Sequence, residues 1–388
     1  MPLKIASVET IPVSVPYRHR EVSSIVARDG VSDVLVKVTT DDGLVGWGEA
    51  CCGADTASVA AAVDAMAPFV IGRDPWNRDA MRRDAFTHGL WQFRAGTGNF
   101  AWAGLDIALW DLCGRICGQP LWRLLGGLQE REATYFYYLA RGTPESLREQ
   151  VADGLRAGFD VFYLKVGLDD AEDVAQVATV REALGAGPRL RIDANGSWTL
   201  PQALRNLRAL EEHDIDFVEQ PVREHPLGLL GEVRGRATQA VCANEGLWSE
   251  ADAYARIRAH EADVYCFSPY WVGSIAGFHH LSWLAHYEGA GVCKHTHGEL
   301  GLAAAACHHV VLTLPNGVGG HQQTAYMMEH DILSEPLPIA TGARWGPIEG
   351  AGLGVDVDED AVAEAAARYR LEGQYLPWQD HQLRQEER

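Results

Sequence analysis

Three short apolar runs in the middle of the chain each end on an acid. Leu190–Ile192 leads to Asp193, Asp216–Val218 to Glu219 and Ala240–Asn244 to Glu245, and both intervals between the acids are 26 residues. One strand, one helix and two loops take roughly this length in a repeating βα unit. Acids closing three consecutive strands would converge at the C-terminal mouth of a barrel. Three hard oxygen ligands at one point suit Mg²⁺, which keeps water or substrate oxygens as its remaining ligands. The competing reading is three unrelated surface acids in a chain with 53 Asp and Glu. Equal spacing after apolar runs argues against it.

The segments around the acids continue the pattern. Candidate strands are Thr134–Leu139, Val161–Val166, Leu190–Ala194, Phe217–Gln220, Val241–Glu245, Val264–Ser268 and Val292–His295, with an eighth near Leu314–Gly319. Helical periodicity falls between them, at Pro144–Ala157, Glu172–Leu184, Pro201–His213, Ser249–His260 and Gly277–Tyr287. This order predicts an α/β chain built on a modified (β/α)₇β TIM barrel with parallel strands.

The first 50 residues read instead as a β-meander. Ile5–Val15, Ser32–Val38 and Leu44–Ala50 are its strands, with a turn at Asp41–Gly43. The polar stretch Tyr17–Gly30 reads as a mobile loop of the kind that forms lids. Residues 55–127 turn helical, with a buried face along Trp102, Leu105, Ile107, Leu109, Leu112 and Ile116, and a second loop falls at Trp91–Gly98. Strands followed by helices indicate an α+β N-terminal capping domain. The expected division is 1–127 for the cap, 128–355 for the barrel and 356–388 for a C-terminal segment returning to the cap. Gln379–Arg388 should fray. The glycine-rich run Gly350–Gly354 lacks the spacing and the βαβ context of a dinucleotide loop and reads as a turn.

A chain of 388 residues with 47% hydrophobic side chains can bury a large core. Its net charge of −20 disfavours nucleic acid and anionic membranes as partners. Eight cysteines form no CxxC pair and mostly sit in apolar segments, so buried free thiols in a reducing cytoplasm are expected. The N-terminus has no signal-peptide character and no apolar run is long enough to span a bilayer. A homo-oligomer acting on a small-molecule carboxylate is expected.

Tyr163 and Lys165 are two apart on the second barrel strand and share a face. A lysine in an apolar strand is costly to bury unpaired. It reads either as a structural ion pair or as a base beside the metal, since a neighbouring cation and desolvation favour the neutral amine. Asn195 shares the face of Asp193 and can support the ligands. Arg191, deeper on that face, reads as a structural partner of the carboxylates. On the seventh strand, Lys294, His295, Thr296, His297 and Glu299 crowd polar groups into the strand end. His295 should face inward, with His297 and Lys294 as lesser candidates. Among the twelve tryptophans, Trp91, Trp198, Trp248 and Trp271 fall near predicted strand or loop ends and suit an apolar or sugar-stacking pocket.

With these residues in place, the chain resembles the enolase superfamily, in its mandelate racemase/muconate lactonizing enzyme branch. Gly43–Ala50, Leu105–Asp111, Leu124–Gly127, Asp193–Gly196, Glu219–Pro221 and Glu245–Ser249 carry the resemblance, which covers nearly the whole chain. It implies a capped (β/α)₇β barrel, Mg²⁺ on Asp193, Glu219 and Glu245, and an enolate formed from a carboxylate substrate. Sites of that superfamily use a Lys or His base with one or two Mg²⁺. Two departures stand out. Tyr163 replaces the first lysine of the usual Lys-x-Lys, leaving Lys165 as the base. Ser268 stands where related enzymes carry a lysine or an Asp, so His295 lacks the Asp that would orient it.

One strong base and one weaker acid suit β-elimination. Lys165 would take the α-proton of an acid sugar or related hydroxy acid, and His295 would protonate the leaving hydroxyl. Tyr163 joins the catalytic candidates, and Ser268, Trp271, His297 and Glu299 join Asn195 as substrate or supporting residues. A cycloisomerase or a racemase/epimerase of a carboxylate or lactone is the alternative. A degenerate ligand-binding member without turnover is the alternative of another class.

Overall fold

Residues 3–50, 55–89, 93 and 95–376 are described by a computed structural model of the chain. Cys51, Cys52, Trp91 with part of its loop, and the segment Gln379–Arg388 lie outside these residues.

The meander is present, but its first turn is not a long loop. β1 (Ile5–Val22) and β2 (Ala27–Thr40) pair antiparallel over most of their length, and β3 (Val45–Ala50) adds to β2. The stretch expected as a mobile lid, Tyr17–Gly30, is therefore two strand ends joined at Ser23–Val26. Glu21 pairs with Arg28 after a register shift. Its polar residues divide between two faces: Glu21, Ser23 and Arg28 line the cavity at the barrel mouth, while Arg18, His19 and Asp29 are exposed.

Helix Thr97–Cys117 is buried from Gly98 to Gly114 and packs on this sheet, while Ile116, expected on the buried face, lies in the last turn and is exposed. A side chain at Gly46 or Gly48 would collide with the helix backbone near Ala108 and Gly104. Only glycine permits that approach. The acids in the same helix are structural ties. Asp111 accepts from the N–H of Trp47 at 3.0 Å and of Leu353 at 2.8 Å, and Asp106 accepts from that of Ile275 at 2.8 Å. Gly350–Gly354 is the turn expected, pinned by the Leu353 bond.

The barrel strands follow in order. β4 (Ala133–Thr134) pairs with β12 (Arg344–Trp345), and seven parallel strands form one curled sheet in sequence order: β5 (Tyr137–Leu139), β6 (Val161–Lys165), β7 (Arg189–Asp193), β8 (Ile215–Glu219), β9 (Ala240–Ala243), β10 (Val264–Phe267) and β11 (Gly291–Lys294). The predicted eighth strand is displaced by a few residues and is irregular. Val292 bridges Gly317 and Tyr135 bridges His321, so the segment from Gly317 to His321 links β11 back to the first stave. The helices fall where the periodicity placed them, and helix Gly301–Val311, which was not foreseen, follows β11. Glu49 at the end of β3 caps that helix. Its carboxylate accepts from the N–H of Leu300 at 2.7 Å and of Ala303 at 2.9 Å, both favourable positions for an anion.

Helix Glu359–Glu372 lies against β1 and β2, where Lys37 pairs with Glu359 at 2.9 Å. Among the described residues, no helix is long and apolar enough to cross a membrane.

Candidate active site

Parallel register sets the first row of the site. Lys165 on β6 lies beside Asp193 on β7, which lies beside Glu219 on β8. Glu245 stands two residues beyond the end of β9. The backbone turns sharply just past two of these acids, where Asn195 and Gln220 take left-handed φ values of 46° and 35°. Such conformations persist where the surroundings hold them, often at functional sites.

The hydrogen bonds show which oxygens are committed. Lys165 Nζ donates to Asp193 Oδ2 at 2.5 Å and to Asn195 Oδ1 at 3.0 Å. The Tyr163 hydroxyl donates to the same Asp193 Oδ2 at 2.6 Å, and the Asn195 N–H donates to Oδ1 at 2.7 Å. Asn195 Nδ2 donates to Glu245 Oε1 at 2.9 Å, and Gln322 Nε2 to Glu219 Oε2 at 2.6 Å. Glu219 Oε1 and Glu245 Oε2 are buried and have no hydrogen-bond partner. Buried polar atoms are rarely left so.

Electrostatics agree. Burial, then repulsion from Asp193, pushes Glu219 well above the usual carboxylate range and Glu245 up to about 7. Three buried carboxylates face one amine. Two unsatisfied, mutually repelling carboxylate oxygens beside Asp193 fit a hard divalent cation. Among the described residues, the ligand-type groups that already lie within 4.8 Å of one another are Glu219, Cys242 and Cys266. Burial pushes the Cys242 thiol up to about 12 and Cys266 higher than usual, so these sulfurs are neutral packing groups under the carboxylate. Asp193 is not in that group; Lys165, Tyr163 and Asn195 hydrogen-bond it.

Burial lowers the affinity of Lys165 for its proton, but Asp193 and Glu219 outweigh this and the net shift is upward. His295 and His297 move the other way. Burial, then the neighbouring His297, pushes His295 well below the usual imidazole range, and burial with Arg28 brings His297 to about 3. Both are neutral rings, so His295 is not a ready-protonated acid. His295 Nδ1 and His297 Nε2 have no hydrogen-bond partner.

Lys165, Asn195, Glu245, Trp271, His295 and His297 line one cavity of about 410 Å³. Its aromatic wall is Phe100, Trp248 and Trp271. The two indoles meet edge to face at 4.4 Å, and Trp271 lies 5.1 Å from the His295 ring. Asn244, adjacent to Glu245, accepts from Trp271 Nε1 at 3.1 Å and so belongs to the wall. An open groove of about 450 Å³ elsewhere, between Arg82 and Glu250, joins cap to barrel and gathers none of these groups.

Several expected residues sit outside the cavity. Glu299 is buried against Lys294 as an ion pair and accepts from Thr296 Oγ1 at 2.5 Å, which removes both Glu299 and Lys294 from the site. Ser268 caps the short helix Pro269–Val272, accepting from the Trp271 N–H at 3.3 Å. Tyr163 does not line this cavity; its hydroxyl donates to Asp193, and it lines a smaller adjoining pocket together with Lys165 and His297. Arg191 pairs with Asp216 at 2.7 Å and with the carbonyls of Gly319 and Gly320, not with the three acids. Trp198 is buried beneath the loops. Of the cysteines described, Cys117 is exposed and the others are buried and free.

Sequence reasoning missed Gln322 and Asn99, and it marked the stretch Tyr17–Gly30 without singling out Glu21 and Arg28, which line the cavity. Gln322 lies just past the irregular closing stave, and the other three come from the cap, where no periodicity points at the barrel mouth.

Known proteins share this arrangement. The family profile "Enolase C-terminal domain-like" matches residues 146–361, and "Mandelate racemase / muconate lactonizing enzyme, N-terminal domain" matches residues 6–126. The L-Ala-D/L-Glu epimerase of Bacillus subtilis is 29% identical over 78% of this chain and 84% of its own length. The D-galactarolactone cycloisomerase of Agrobacterium fabrum is 28% identical over 87% and 92%, and the D-galactonate dehydratase of Klebsiella pneumoniae 28% over 86% and 91%. Among solved structures, an isomerase from Streptomyces coelicolor superposes with a TM-score of 0.82 at 32% identity, covering 94% of this chain and 99% of that one. A dipeptide epimerase from Enterococcus faecalis, solved with Mg and L-Leu-L-Tyr, shares the fold with a TM-score of 0.84 at 24% identity over 91% and 99%. The chain belongs to the enolase superfamily, in its mandelate racemase/muconate lactonizing enzyme branch.

Proposed function

We propose that this chain is an enzyme that removes the α-proton of a carboxylate substrate with the help of a divalent cation. The observation that carries the reading is the row of Lys165, Asp193 and Glu219 beside the unpartnered oxygens of Glu219 and Glu245, with His295 lining the same cavity. Asp193, Glu219 and Glu245 would hold Mg²⁺, which when bound supplies the positive charge that stabilises an enolate. The bound Mg of the E. faecalis relative supports that choice of ion.

Lys165 is the base. It lies 2.5 Å from Asp193, and compensation of that acid's charge by a cation lowers the amine's hold on its proton. Asn195 fixes the amine's position through its side-chain oxygen. Tyr163 keeps Asp193 oriented, and the aromatic wall excludes water.

The first specific reaction is dehydration of an acid sugar or related hydroxy acid, supported by the D-galactonate dehydratase relative. One observation favours a second, isomerisation by cyclisation, racemisation or epimerisation. His295 lines the same cavity as Lys165 with an unpartnered Nδ1, which places a second proton-transfer group there.

The deciding experiment is turnover of a library of sugar acids and other carboxylates with Mg²⁺ in D₂O, followed by NMR. Dehydration yields a 2-keto-3-deoxy acid. Isomerisation leaves deuterium at the α-carbon with no loss of water. Absence of both exchange and product across the library leaves a ligand-binding protein without turnover. Lys165→Met should cut α-exchange by about 10³-fold or more while leaving Mg²⁺ affinity within a few-fold. Retained exchange would move the base role to His295.

A further inference from the structure

Beside the carboxylates, the barrel interior carries sulfur. Cys242 on β9, Cys266 on β10 and Cys293 on β11 come from three neighbouring parallel strands and are fully buried. Cys266 and Cys293 lie opposite each other in register. Cys293 precedes His295 by two residues and so shares its strand face.

The spacing of these groups is that of a metal site. Cys242 Sγ lies 3.4 Å from Cys266 Sγ, and Cys266 Sγ lies 3.7 Å from Glu219 Oε2. A tetrahedral ion with metal–sulfur bonds of about 2.3 Å and metal–oxygen bonds of about 2.1 Å sets two sulfurs about 3.8 Å apart, and a sulfur and an oxygen about 3.6 Å apart. Small side-chain adjustments close the difference. Without a soft ion the thiols stay protonated and pack as small apolar groups. A soft ion displaces those protons on binding. Arg191 Nη1 lies 3.8 Å from Cys293 Sγ and offsets the negative charge that thiolate ligands bring.

Gln322 marks the way in. Its amide nitrogen donates to Glu219 Oε2 at 2.6 Å and to Cys266 Sγ at 3.4 Å. The same residue lines the smaller pocket beside Lys165. The side chain that covers the sulfur therefore also borders space open to small ions.

We propose that Cys242, Cys266 and Glu219 form a binding site for a thiophilic divalent cation of the Zn²⁺ and Cd²⁺ class, with Cys293 beside it as a further sulfur ligand. This site differs in kind from the one proposed for Mg²⁺. Oxygen ligands suit the hard ion, and thiolates select the soft one. Glu219 serves both, through Oε2 here and through its unpartnered Oε1 there. The inference needs neither substrate nor turnover, so failure of the proposed reaction leaves it untouched.

The test uses the full chain, kept reduced with a phosphine and with Mg²⁺ in excess. Titrated Cd²⁺ should raise the ultraviolet cadmium–thiolate charge-transfer band, saturating at one equivalent with a Kd of about 1 µM or tighter. Cys242→Ala and Cys266→Ala should each weaken that binding by at least about 100-fold, more than the loss of a group that only orients a ligand typically costs. Cys51→Ser, Cys52→Ser and Cys117→Ser combined should leave the band in place. Should the alanine variants not fold, X-ray absorption at the zinc edge of the wild-type protein loaded with one equivalent of Zn²⁺ decides. Two or three sulfur neighbours at about 2.3 Å are expected. No thiolate band with Cd²⁺, a band kept in folded Cys242→Ala and Cys266→Ala but lost in the triple serine variant, or zinc surrounded by oxygen and nitrogen alone would each overturn the proposal.

Discussion

Asn195 links three parts of the site. Its side-chain oxygen accepts from Lys165, its side-chain nitrogen donates to Glu245, and its backbone N–H donates to Asp193. It does this from a left-handed conformation that Asn tolerates better than most residues. Asn195→Ala should weaken Mg²⁺ binding by about 10- to 100-fold, as loss of a group that orients metal ligands typically does. Asn195→Gly relieves the backbone strain without restoring the amide. If Gly recovers the affinity measured by calorimetry, the role is conformational, and the proposed bonding role fails. The identity of Asn195 as a supporting residue was legible from its period-two placement after Asp193. Its contact with Glu245 was not, because that bond crosses 50 residues of chain.

At the scale of elements, the cap reaches the barrel mouth through the start of helix Thr97–Cys117. Asn99 there donates to the carbonyl of Trp248 at 2.7 Å and of Trp271 at 2.9 Å, and so ties the loops after β9 and β10 together. Asn99→Ala leaves those carbonyls without their donor and should cost about 1–3 kcal/mol of stability. The aromatic wall should loosen, raising KM several-fold more than it lowers kcat and shifting tryptophan emission. An unchanged KM and spectrum would show that the wall holds itself. The barrel strands and most helices were readable from apolar runs and 3.6-residue periodicity. The β1–β2 hairpin was not. Its polar strand ends are held by pairing and by contacts with residues far along the chain, such as Arg28 with His297, 269 positions away. The closing stave was missed in register because its two neighbours impose its shape and its own sequence contains little strand signal.

Across the whole molecule, helix Gly301–Val311 carries two histidines buried in the frame. The His309 Nδ1 accepts from the Trp122 N–H at 3.3 Å, which leaves Nε2 to donate to the Leu353 carbonyl at 3.1 Å. His308 bridges Tyr135 and the Gly346 carbonyl and stacks on Trp345. Burial holds His309 down at about 4 and His308 well below its usual range. The folded pKa is depressed, so the unfolded chain takes up the proton first. Stability present above about pH 6.5 is lost as pH falls toward about 4. Between pH 7.5 and 4.5, wild type should lose about 2–3 kcal/mol more than His309→Gln in urea unfolding. Equal slopes would mean that His309 is protonated without penalty.

The amino-acid order alone determined the alternation of strands and helices, the three evenly spaced acids and the lysine beside them. Each of these is a local pattern, set by periodicity and by the length of one βα unit. The tertiary structure decided which of those groups are free to act. Whether an acid is held or unpartnered, a histidine neutral or an arginine already answered depends on burial and on partners far away in the chain. Asp193 is held while Glu219 and Glu245 keep an open oxygen, Glu299 is closed off by Lys294, and Arg28 is closed off by Glu21. Spacing along the chain says where a charge will stand. Only the fold says what stands next to it.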